Sequence, residues 1–203
     1  MNTDRIEAFS DGVFAIAITL LILEIKVPNA DNLASGLLGL WPSYLAYAIS
    51  FIVIGAIWIN HHTMFDRIVR ADHRLLLLNT AHLMFIAFLP FPTAVLAEAL
   101  HQSQGQTTAA AFYGGTLTVV GLLVTAMWLH AANDPKLLSP LLTQAEAKRI
   151  SYRYLMGPIG YLAATLLAFI SHWISISIFV ALNVYFLWSR RENSGTDQGL
   201  DSQ

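Results

Sequence analysis

The chain has 203 residues, of which 56% are hydrophobic and 12% charged, with no cysteine and a formal net charge of −2; a soluble domain is roughly 45–50% apolar and about 25% charged. That balance excludes a disulfide scaffold, thiolate metal ligation and a thiol nucleophile, and it offers no basic excess to hold a nucleic-acid backbone. It indicates an all-α integral membrane protein surrounded by lipid bilayer.

A hydrocarbon core about 30 Å thick is crossed by roughly 20 apolar helical residues. Six runs meet that need, at 9–27, 37–59, 75–96, 109–129, 154–170 and 173–188. Only Ser171 and His172 separate the last two, which predicts a tight helical hairpin. Lys and Arg concentrate on the cytoplasmic side. With the N-terminus inside, every one of them falls inside except Lys26, so six spans with both termini cytoplasmic are predicted. Asp4, Glu7 and Asp11 stand where a cationic leader would be, which argues for retention of the first span. Residues 1–191 thus form one six-helix domain, and the polar stretch 192–203 reads as a disordered cytoplasmic tail.

Ionisable groups are costly inside a membrane and each is a functional candidate. The first span opens with Arg5, Phe9, Ser10 and Asp11. Ser10 and Asp11 suit either a helix N-cap or a buried network between helices. Beyond them Ile16, Thr19, Leu20 and Leu23 share one helical face. That face suits packing, with Thr19 bonded back to a carbonyl one turn earlier. It equally suits a pore wall, with apolar rings at Ile16 and Leu23 that close by dewetting and a hydroxyl layer between them. Glu24 would then lie near the outer mouth.

The second span ends Trp58-Ile59-Asn60-His61-His62. The two histidines point about 100° apart on a helix and no second cluster accompanies them, so no metal site is predicted. Trp58 and His62, one turn apart, are expected to project inward at the level of Ser10 and Asp11. Asn79 and His82 on the third span either extend that network or simply bond a neighbouring helix. Pro90 and Pro92 predict a kink. Gly114, Gly115, Gly121, Gly157 and Gly160 read as close-packing sites, and Trp41, Trp128, Trp173 and Trp188 as an interfacial aromatic belt.

The Arg5, Phe9-Ser10-Asp11 element, the helix carrying Ile16, Thr19 and Leu23, and the Trp58-to-His62 segment together resemble the transmembrane protein 175 family of potassium channels. The resemblance implies a single-repeat, six-helix subunit that forms a homotetramer in the cell membrane, multi-pass, passing potassium ions without a cofactor and without enzymatic activity. It places Ile16 at the narrowest point of a pore lined by the first helix, Thr19 in the hydroxyl layer, and Leu20 and Leu23 along the apolar lining. Arg5, Phe9, Ser10, Asp11 and Trp58, with His61 or His62, become a structural network. The alternatives are a proton-coupled transporter using Asp11 or His62 as a proton relay, and an intramembrane metal enzyme.

Overall fold

Helices follow the apolar runs, but their ends are set by local chemistry. The computed structural model describes residues 3–28 and 31–188, with side chains as far as Asn183. The helices are α1 (Asp4–Leu20, continued by a 3₁₀ turn, Leu21–Glu24), α2 (Leu33–Gly39), α3 (Trp41–Phe65), α4 (His73–Phe88), α5 (Pro90–Gln102), α6 (Gln106–Ala132), α7 (Gln144–Leu167) and α8 (His172–Trp188). No strand occurs among the described residues; a single antiparallel bridge joins Ile68 to Leu138. Arg190, Arg191 and the tail 192–203 lie outside the described residues, as does the Trp188 side chain.

Among the described residues four stretches are long and apolar enough to cross a membrane: Asp4–Glu24, Trp41–Phe65, His73–Gln102 and Gln106–Ala132. The segments expected as fifth and sixth spans form the hairpin α7–α8. Helix α7 starts well before the apolar run, at a capping box in which Thr143 and Glu146 satisfy each other's backbone amides. Its first turns therefore carry Glu146, Lys148, Arg149 and Arg153 in the same helix as the apolar half.

The predicted kink in the third span is a break at Leu89. Pro90 and Pro92 occupy the first turn of α5, where their missing amides are not needed. A buried hydroxyl string holds the break: Thr93 Oγ1 donates to Leu89 O (2.9 Å), and Ser50 Oγ lies 2.8 Å from Thr93 Oγ1 and 3.0 Å from the Tyr113 hydroxyl.

Helices α6 and α7 pack closely because each lacks something that the other supplies. Pro158, inside α7, has no N–H for the carbonyl of Tyr154, one turn earlier. Thr125 of α6 lies 2.9 Å from that carbonyl and 2.8 Å from Gly121 O, offering its hydrogen to both. Gly121 permits the approach, since a Cβ there would sit 3.3 Å from the Pro158 ring. Thr125→Val, which removes the donor at nearly constant shape, is expected to cost about 1–2 kcal/mol. Thr118→Val should be near neutral, because that hydroxyl bonds only its own helix at Gly114 O. Unfolding midpoints in mixed micelles would check the pair; equal shifts would sink the idea.

Gly114 is the tightest contact, where a Cβ would fall 2.4 Å from Phe179 Cζ and from Thr165 Oγ1, and Gly160 closes against Leu182. Gly115 and Gly157 meet nothing within 4 Å, so among the described residues they are not packing sites. The belt expectation also needs correction at Trp128. It is fully buried, stacks on Tyr154 and donates its indole N–H to Ser151 Oγ, whereas Trp41 and Trp173 are exposed and stack on each other.

The core has two parts. One runs along the bundle through Phe14, Leu21, Ile54, Ile86, Leu117 and Phe179. The other gathers Met64, Phe65, Leu75, Met127, Leu138 and Ala147 at the end where α3 and α6 stop and α4 and α7 start.

Candidate functional site

Helix α1 has two contrasting faces. Ile6, Ser10, Phe14, Ala17 and Leu21, spaced by three or four residues, are buried against α3 and α4. On the opposite side Gly12, Ile16, Thr19, Leu20 and Leu23 are exposed, Ile16 and Leu23 both at 61%. Thr19 Oγ1 bonds back to Ala15 O and Ile16 O, both at 2.9 Å, which leaves the oxygen's remaining acceptor capacity facing outward. The expected face is present, and among the described residues nothing packs on it as a core face would require.

Two polar strings tie the first half of this helix to its neighbours. The inner one is buried. Asn79 Nδ2 of α4 donates to Ser10 Oγ at 3.1 Å, while its Oδ1 lies 2.8 Å from His61 Nε2 of α3. An amide oxygen only accepts, so His61 carries its hydrogen on Nε2. Ser10 passes its own hydrogen to Ile6 O at 2.7 Å. Phe14 packs on the rings of His61 and His82, and those two imidazoles stack 5.7 Å apart. The outer string is exposed: Trp58 Nε1 donates to Asp11 Oδ1 at 2.8 Å, and His62 stacks on the Trp58 ring.

This geometry decides several open points. The helix starts at Asp4, so Ser10 and Asp11 lie about two turns inside it and cap nothing. His61, 1% exposed, is the inward histidine, reaching Ser10 through Asn79. His62, expected to project inward with Trp58, is exposed instead, because positions 58 and 62 share the helix face one residue round from the buried stripe Ile54, Ile57 and His61. Arg5 and Phe9 are exposed, and the hydrogen bonds of the two strings include neither. The Phe14 contact escaped the sequence reading, although the spacing from Ser10 to Phe14 puts both on one face and would have revealed it.

Among the described residues no three His, Asp or Glu side chains gather as a metal site. Outside the spans, Asp72 caps α4 through the Leu75 amide and meets His130 Nε2 of α6 at 2.8 Å. The amide, and then the His130 bond, hold the Asp72 carboxyl below its ordinary value of 3.8. A lowered folded-state pKa means that its stabilisation is complete above the unfolded value and is lost as pH falls through the folded one. Asp72→Asn, which keeps a capping oxygen, should flatten the loss of thermal stability as pH falls below about 5. A curve as steep as wild type would refute this.

The sequence and fold were then set against known proteins. The profile described as "Endosomal/lysosomal potassium channel TMEM175" matches residues 5–90, the segment holding α1, α3, α4 and both polar strings. A potassium channel of Chamaesiphon minutus is 46% identical over 190 residues, covering 91% of this chain and 93% of that protein. The chain belongs to the TMEM175 family. A potassium channel of Streptomyces collinus is 43% identical, covering 91% of each. The crystal structure of a lysosomal potassium-selective TMEM175 homologue from Chamaesiphon minutus superposes with a TM-score of 0.83 at 44% identity, over 92% of this chain and 97% of that one. TMEM175 is an ion-channel family and not an enzyme family, and membership with the apolar spans makes this chain a membrane protein.

Proposed function

We propose that the chain is one subunit of a potassium-permeable cation channel of the cell membrane, a homotetramer in which α1 lines the pore. Ile16 forms the hydrophobic constriction, Thr19 the hydroxyl layer, and Leu20 and Leu23 continue the wall. The observation that carries this is the outward face of α1. It presents an apolar, hydroxyl, apolar sequence that the described residues leave uncovered, while the opposite face is bonded and packed. Several copies around an axis would bring these side chains together as rings. The names of the Chamaesiphon and Streptomyces relatives support potassium as the permeant ion.

Six spans complete the subunit, α7 and α8 serving as the fifth and sixth, with both termini cytoplasmic. The Thr125 bond to the Tyr154 carbonyl supports α7 as a span, because a carbonyl freed by proline needs a protein partner where water is absent. No cofactor takes part. The two strings act as scaffold. Asp11→Ala, which removes the acceptor of the Trp58 indole, is expected to lower the tetramer fraction on size-exclusion chromatography; a normal tetramer with altered selectivity would move Asp11 into the pore.

The test is the reversal potential of purified protein in a planar bilayer with potassium on one side and sodium on the other. Discrete currents reversing toward the potassium potential support the channel. Electrical silence with proton-coupled solute uptake in liposomes would instead establish a transporter using Asp11 or His62.

A further inference from the structure

The end of the bundle opposite Lys26 gathers cationic side chains that the proposed pore does not use. The turn after α3 and the loop before α7 are clamped together. Val69 N and Arg70 N both donate to Leu137 O, and Ser139 N donates to Arg67 O, with Ile68 and Leu138 buried beneath. The clamp fixes Arg67 and Arg70 beside Lys136. Arg67 and Arg149 both act electrostatically on Glu146, which brings the start of α7 to the same end, and Lys148 neighbours Arg149 in that helix. Arg70, Lys136, Lys148 and Arg149 are all exposed.

The acidic groups of these segments are held locally, Asp72 by the Leu75 amide and His130. Glu146 accepts from the Thr143 amide and hydroxyl, and Asp134 accepts from the Lys136 amide; Asp66 is exposed. Residues 66–74 and 133–153 together carry seven Lys and Arg against Asp66, Asp72, Asp134 and Glu146, so positive charge is in excess on a backbone held in place by buried residues.

Apolar side chains stand among these charges. Leu141, at the tip of the loop, is 92% exposed although its neighbours Leu137, Leu138 and Leu142 turn inward. On α7 an exposed stripe runs Lys148, Tyr152, Met156, Ile159, from a cation through an aromatic to apolar residues within three turns. That gradient is the profile of a membrane interface, with the ammonium at headgroup level and Tyr152 at its inner edge. A soluble phosphate would use the charges alone and leave Leu141 and Tyr152 in water; an anionic phospholipid would use both.

We infer that Arg70, Lys136 and Lys148, with Leu141 and Tyr152, form a binding site for the phosphate headgroups of anionic phospholipids. The site rests on membrane placement and not on ion conduction, so failure of either leaves the other intact. A basic residue near an anionic surface strengthens attachment by about fivefold. Native mass spectrometry of the delipidated full chain, titrated with phosphatidylglycerol, reads this directly. The triple variant Arg70→Gln, Lys136→Gln, Lys148→Gln is expected to bind at least tenfold more weakly, and Lys26→Gln at the far end as wild type. Leu141→Ser keeps every charge and is expected to weaken binding as well; it remains informative if the triple variant does not fold. Wild-type affinity in both variants would overturn the proposal. So would pyrophosphate competing as well as the lipid, which would make this a soluble phosphate site.

Discussion

Ile16→Asn is expected to raise the potassium current through the reconstituted protein by at least tenfold. Ile16 stands on the open face of α1, one turn below the Thr19 hydroxyl and two turns below Leu23. A ring of isoleucines offers neither charge nor hydrogen bonds, so an ion in transit loses hydration there without replacement and the constriction empties of water. A carboxamide supplies both an acceptor and a donor at nearly the same position. Each 1.36 kcal/mol removed from the barrier multiplies flux about tenfold, and restoring even one coordination partner is worth about that much. The variant should fold normally, because residue 16 is 61% exposed and belongs to neither core cluster. Selectivity should fall as current rises, since a wetted constriction discriminates less between potassium and sodium. An unchanged current in a well-folded variant would remove Ile16 as the constriction and leave Leu23 as the candidate.

How much of this was legible in the sequence depended on whether a feature was periodic or pairwise. The helices, the α7–α8 hairpin, the break at Pro90 and the two faces of α1 follow from apolar spacing and from the missing amides of proline, which are local properties. Pairings across helices were not legible. Whether His61 or His62 reached toward Ser10 turned on the rotation of α3 by one residue, and no periodicity in its uniformly apolar surface fixes that rotation. The Trp128 error has a similar origin. A tryptophan near a span end sits in the interface only if nothing covers it, and here Ser151 and Tyr154 of α7 do, because α7 begins ten residues before its apolar run. Gly114 and Gly115 differ only in direction: one faces Phe179 and Thr165, the other faces open space.

The largest loss of stability is expected from Asn79→Ala, about 2–4 kcal/mol, with a matching fall in tetramer fraction. Asn79 is 3% exposed and stands between two helices, giving its amide hydrogen to Ser10 and its oxygen to His61. Hydrogen bonds between membrane helices contribute only about 0.6 kcal/mol on average, so the two bonds alone do not reach that figure. The remainder comes from the partner left behind: the buried Nε2–H of His61 loses its acceptor in a site walled by Phe14 and Phe65, and an unsatisfied buried donor costs about 1–3 kcal/mol. Ser10→Ala should cost less, about 1–2 kcal/mol, because it orphans one Asn79 amide hydrogen while Asn79 keeps its bond to His61 and the Ile6 carbonyl stays committed to the helix. The discriminating variant is Asn79→Leu combined with His61→Phe. Replacing both partners with apolar groups of similar size leaves nothing unsatisfied, so the double variant should recover most of the stability lost in Asn79→Ala. Unfolding midpoints of the single and double variants give the coupling directly. If the double variant is as unstable as the sum of its parts, the string stabilises by its hydrogen bonds themselves, and the desolvation account of how α1 is held is wrong.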